Sequence, residues 1–191
     1  MSKVQIISDL SLQVFLSNRV EFEYSDDVLL HLQQKNLQKD TKYVIFIDCS
    51  ARFYEDRYLH ELILEVTRLR SKESGGQVWI TDLFFNYGSP IGKNLRPLGL
   101  GYSSELYRDI EALSSSEYTV RLSQYVLRKG QDNIYNHQFM TSYQLPYSKE
   151  VIEDLEELIH EEIQSQLESI KKVLVLDCDN TLWGDVLGYA K

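Results

Sequence analysis

The chain has 191 residues, a formal net charge of −9, 43% apolar residues and 12% aromatics, which is ample side chain for a packed globular core. An acidic chain with no basic stripe is a poor partner for a phosphate backbone, so nucleic-acid binding is not expected. No stretch approaches membrane-spanning length and the apolar run near the N-terminus is too short for a signal peptide, so a cytoplasmic protein with no membrane partner is expected.

In chain order, apolar runs predict strands over Val4 to Ser8, Val20 to Tyr24, Tyr43 to Asp48 and Gln77 to Leu83, with a weaker fifth around Tyr118 to Leu122. Several are nearly continuous in apolar character, as strands covered on both faces of a parallel sheet must be. Helical patterns lie between them. Ser25-Asp26-Asp27 caps a helix carrying Val28, Leu29 and Leu32, and Leu59, Leu62, Ile63, Val66 and Leu69 repeat at helical spacing. Residues 87 to 102 hold two of the three prolines and four of the nine glycines, which predicts a long surface loop. A helix resumes near Ser103 with Leu106, Ile110 and Leu113. The polar, aromatic stretch from Gln131 to Gln144 has no clear period and reads as irregular. Pro146 and Ser148 then open the clearest helix, with Ile152, Leu155, Ile159, Ile163, Leu167 and Ile170 on one face, acids on the others, and Lys171-Lys172 at its close. Strand and helix alternate throughout, which predicts an α/β fold: a doubly wound, three-layer α/β/α parallel sheet of flavodoxin-like kind.

A further apolar run, Val173-Leu-Val-Leu176, delivers Asp177-Cys-Asp-Asn-Thr181 at its carboxyl end, where open α/β sheets bind ligands. If the chain turns there, two carboxylates two residues apart can reach one phosphoryl group and one cation. A hard Mg2+ ion takes oxygen ligands and neutralises phosphate charge. One aspartate can attack phosphorus in line while the other carries a proton to the leaving oxygen and from the incoming water. Backbone NH groups of the turn would cradle the phosphate oxygens.

Asp177-Cys-Asp-Asn-Thr181 after an apolar strand resembles motif I, DxDxT, of the haloacid dehalogenase (HAD) superfamily. The longer string Val-Leu-Val-Leu-Asp-Cys-Asp-Asn-Thr-Leu-Trp-Gly-Asp-Val-Leu-Gly is similar to the FkbH-like branch. The resemblance implies that Asp177 is the nucleophile and a Mg2+ ligand, and that Asp179 is the acid/base and also a metal ligand. Cys178, Asp179 and Thr181 would hold the phosphate. The chain departs from the pattern at Asp185, where a second glycine is usual. The later Ser or Thr, Lys or Arg, and acidic pair of a HAD core do not follow within these residues. Residues 171–191 are therefore expected to be the first strand and motif I of a truncated HAD-like domain, inactive by itself.

FkbH-like proteins carry an N-terminal region resembling the SGNH (GDSL) hydrolase fold, and residues 1–170 fit that order of elements. The SGNH motifs are weak here. The turn after the first strand reads Ser8-Asp9-Leu10, with the nearest hydroxyl, Ser11, one residue late; Asp132 and His137 have the wrong spacing for the helper DxxH element. A serine without a base in reach is not activated, so hydrolase activity of this region is not expected.

The remaining candidates have plain readings. Asn86 fits a loop-capping amide better than an oxyanion donor. His31, His60 and His160 fall on helices and receive no role. Tyr135, Phe139, Tyr143 and Tyr147 are a candidate pocket lining. Cys49 and Cys178 read as reduced core thiols, and Gly99-x-Gly101 is too short for a phosphate loop. Two functions remain open. The first is the front part of an FkbH-like Mg2+-dependent phosphatase or phosphotransferase acting on a phosphorylated small molecule, where the resemblance extends to glyceryl transfer onto an acyl carrier protein. The second is a non-catalytic SGNH-like binding domain.

Overall fold

The computed structural model describes residues 3–12, 20–49, 51–52, 54–72, 78–82, 103–114, 118–136, 138–139 and 145–167. Its centre is a sheet of five strands, β1 (Lys3–Ser8), β2 (Glu21–Tyr24), β3 (Thr41–Phe46), β4 (Val78–Thr81) and β5 (Thr119–Val120), in the order β2-β1-β3-β4-β5. Every neighbouring pair is parallel. The order is that of the flavodoxin-like doubly wound fold.

Side chains alternate cleanly across the sheet, because successive residues of a strand face opposite ways. Ile7, Tyr43, Ile45, Val78 and Ile80 point to one helical layer. It consists of α1 (Val28–Gln34), α2 (Asp56–Ser71) and α3 (Ser104–Ser114), and Leu32, Leu59, Leu62, Val66 and Leu106 fill the contact. Val4, Ile6, Val44, Phe46, Trp79 and Val120 point the other way. They meet α4 (Leu122–Lys129), α5 (Gln131–Ile134) and α6 (Lys149–Leu167) through Tyr125, Val126, Ile152, Leu155, Ile159 and Ile163.

Handedness explains the division. From β2 onward every crossover steps in the same direction across the sheet, so right-handed connections put α1, α2 and α3 on one face. The step from β1 to β2 runs the opposite way and must pass over the other face, where Leu10, Leu12 and Val20 are buried. That connection carries no described helix, and α6 packs over the same face. The end of α6 is fastened by the Trp79 indole, which donates to the Gln166 side chain, while the Gln166 amide donates to Thr119 O.

Two elements differ from expectation. Leu122, assigned to the end of the fifth strand, instead opens α4, and Gln131, assigned to an irregular stretch, opens the single-turn α5. Gly130, at φ 82°, separates the two helices and its NH returns to Val126 O, a left-handed position that glycine takes without strain. Asp27 caps α1 as expected, accepting from Leu30 N. Cys49 is fully buried just after β3. No described helix is long and apolar enough to cross a membrane. The expected loop from 87 to 102, Asn86, His137, Tyr143, and residues 171–191 with Asp177, Cys178, Asp179 and Thr181 lie outside the described residues.

Candidate functional site

All five strands end on one side of the sheet, and the order reverses between β1 and β3, so the crevice above that pair is the place where this fold accommodates ligands. Three of the strands deliver an aspartate there: Asp9 after β1, Asp48 after β3 and Asp82 after β4. All three are buried. Thr81 ties the edge together, its hydroxyl accepting from Ile47 N at 2.9 Å and donating to Ile47 O at 2.7 Å.

Burying a carboxylate costs free energy unless it is well hydrogen-bonded, and each of the three has partners suited to that task. Asp9 accepts from the Tyr54 hydroxyl at 2.8 Å and pairs with Arg52 Nη1 at 3.0 Å. Burial raises its carboxyl above the usual range, against the pull of Tyr54 and Arg52. The Tyr54 phenol is itself pushed far up by burial and by the Asp9 charge. Asp48 accepts from Tyr135 at 2.8 Å, from Tyr147, and from Ala51 N at 3.2 Å. Its carbonyl also receives Ala51 N and Arg52 N, forming the turn that carries Arg52. Asp82 accepts from Ser123 N at 2.9 Å and from the Ser123 hydroxyl, at the start of α4. Burial pushes the Asp82 carboxyl up to about 6, with the Asp48 charge adding to the rise.

The edge is therefore a braced structure rather than an exposed acid/base pair. Asp48 reaches the segment after α5 and the segment before α6, and Asp82 reaches α4, so two carboxylates fasten the whole α4–α6 layer. Among the described residues no group of three or more His, Cys, Asp or Glu side chains could hold a metal ion.

The serine-hydrolase pattern does not assemble among the described residues. Ser8 serves the turn, donating to Phe46 O at 2.9 Å and accepting from Leu10 N at 3.1 Å. Leu10 occupies the place of the nucleophile and is buried, and Asp132 is exposed on α5. Of the aromatic candidates, Tyr135 and Tyr147 do come together, with ring centroids 5.9 Å apart, but as donors to Asp48; Phe139 is partly exposed. His31 pairs with Glu23 and His60 with Asp109, both on helix surfaces.

Neither the known protein-family models nor the curated proteins contain a match to this chain. A solved structure does match. It is the N-terminal part of the Bacteroides fragilis protein BF1531, containing a phosphatase domain complexed with Mg, with a TM-score of 0.62 at 14% identity. The match covers 98% of this chain, which spans 58% of the length of that one. At this identity the shared property is the fold.

Sequence reasoning passed over Asp48, Asp82 and their partners. A signal was present: Ile-Ile-Ser-Asp9, Ile-Phe-Ile-Asp48 and Ile-Thr-Asp82 each end an apolar run in an aspartate. In a parallel sheet such residues gather at one edge.

Proposed function

We propose that this chain is the front part of a HAD-superfamily, Mg2+-dependent phosphatase or phosphotransferase acting on a phosphorylated small molecule. The observation that carries the reading is the string Val173-Leu-Val-Leu-Asp-Cys-Asp-Asn-Thr-Leu-Trp183. The fold shared with the N-terminal part of a protein that contains a Mg-bound phosphatase domain supports it. In this reading Asp177 attacks phosphorus, and Asp179 protonates the leaving oxygen and then takes a proton from water. Cys178, Asp179 and Thr181 hold the phosphate in the turn. The oxygen donors of Asp177 and Asp179 suit Mg2+, which when bound neutralises phosphate charge. The FkbH-like branch adds a finer expectation, glyceryl transfer to an acyl carrier protein in the cytoplasm.

The test is Mg2+-dependent release of phosphate from para-nitrophenyl phosphate by the protein at its natural length. Asp177→Asn is expected to abolish it. Release that survives Asp177→Asn unchanged would overturn the assignment.

A second reading, that residues 1–170 form a non-catalytic SGNH-like binding domain, is favoured by Leu10 in the nucleophile's place and by the internal partners of Asp9, Asp48 and Asp82. The two readings are compatible, one describing residues 171–191 and the other the α/β layer. Hydrolysis of para-nitrophenyl acetate that falls on Ser11→Ala would refute the second.

A further inference from the structure

We infer that Arg52 forms an oxyanion-binding site at the carboxyl edge of the sheet, in the crevice between β1 and β3, taking the phosphoryl or carboxylate group of a small molecule.

Three observations carry this, none of them drawn from residues 171–191. The first is place: the crevice lies where the strand order reverses, and open α/β sheets bind ligands there. The second is how Arg52 is held. Its Nη1 pairs with Asp9 Oδ2 at 3.0 Å and donates to Asp9 O at 3.3 Å, and its guanidinium lies 6.0 Å from the centroid of the Tyr54 ring. Tyr54 in turn donates to Asp9, so acid, phenol and guanidinium fix one another. The third is what remains open. Both contacts use Nη1, which leaves the Nε and Nη2 donors with no partner among the described residues, on a side chain that is 44% exposed. That edge of a guanidinium is the one that grips two oxygens of a carboxylate or phosphate side-on.

The energetics point the same way. A buried carboxylate paired with a half-exposed cation is a poor source of stability, because desolvation offsets most of the attraction. In this proposal the pairing orients the arginine before a ligand arrives, which lowers the ordering cost of binding. The nearby acids are engaged: Asp26 accepts from Tyr24, and Asp48 from Tyr135 and Tyr147. Binding should weaken as salt is added, because the site is open to solvent.

The experiment follows the arginine Nε–Hε NMR signals of the full chain during titration with inorganic phosphate, glycerol phosphate, acetate, and chloride at matched ionic strength. One signal, missing from the Arg52→Gln spectrum, is expected to shift saturably with phosphate or acetate, half-complete at about 1 mM to 10 mM. Comparing those arms shows which oxyanion is preferred. Arg52→Lys keeps a cation beside Asp9 but not the planar fork, so it should stay folded by circular dichroism and, with both proteins followed through the backbone amide signals of residues 51 and 52, bind at least about tenfold more weakly. If the Arg52 signal does not move, moves equally with chloride, or if Arg52→Lys binds as well as the parent, the inference is wrong.

Discussion

Replacing Tyr147 by Phe tests whether Asp48 fastens the α4–α6 layer. The ring is fully buried and stands edge-on to Phe46, with centroids 6.2 Å apart, so removing only the hydroxyl opens almost no cavity. What is lost is one hydrogen bond to a buried carboxylate, worth about 2 kcal/mol. For a domain of this size that corresponds to about 4 to 8 °C in melting temperature. Tyr135→Phe removes the second hydroxyl from the same oxygen, but Tyr135 is half-buried and water can replace it, so about 1 kcal/mol is expected. The double variant should lose more than the sum, by about 1 kcal/mol, since both donors serve one acceptor. Urea unfolding followed by circular dichroism gives all four free energies. Additive losses, or a Tyr147→Phe cost below about 0.5 kcal/mol, would show that Asp48 is not the fastening point.

Asp82 predicts a pH effect. Its carboxyl is raised in the folded protein to about 6 from 3.8, so folding favours the protonated form, and that contribution fades as pH rises from about 4 through 6. Asp82→Asn should therefore gain stability relative to the parent between pH 4.5 and pH 7.5, by at most about 3 kcal/mol, read from urea midpoints. A gap that shrinks over that range would refute it. Ile159→Ala should cost about 3 kcal/mol, because this α6 side chain is 1% exposed, whereas Leu64→Ala on the outer face of α2 should change stability by no more than about 0.5 kcal/mol. Deleting residues 172–191 is expected to leave the melting temperature nearly unchanged, and a large fall would place that segment in the first sheet.

The strands were legible because a parallel sheet between two helical layers forces continuous apolar runs; Tyr43-Val-Ile-Phe-Ile47 is buried at every position. The start of α1 was legible because its cap, Asp27, is local. α4 was not. Tyr118-Thr-Val-Arg-Leu122 has strand chemistry up to the residue where the helix begins, and the acceptor for Ser123 N is Asp82, 41 residues earlier. No local rule contains that partner. Asp48 shows the same limit, since its hydroxyl donors lie 87 and 99 residues away. Arg70 is a third case. It is desolvated enough for its pKa to fall to about 10, and it donates to Val78 O and Tyr118 O across two strands, yet by position it reads as an ordinary basic residue ending a helix. For Asp177 and Asp179 the reverse holds: the role proposed for them rests on local sequence alone.

The late place of α6 in the chain has a consequence for synthesis on the ribosome. Val4, Ile6, Val44, Phe46 and Trp79 are all made before residue 80, yet the helix packed across them closes only at Leu167. A growing chain halted before Lys149 would leave bare the part of that face that α6 covers, the kind of surface that chaperones capture and that sticks to its own copies. The part of this layer that α6 completes can then pack only after α6 leaves the exit tunnel.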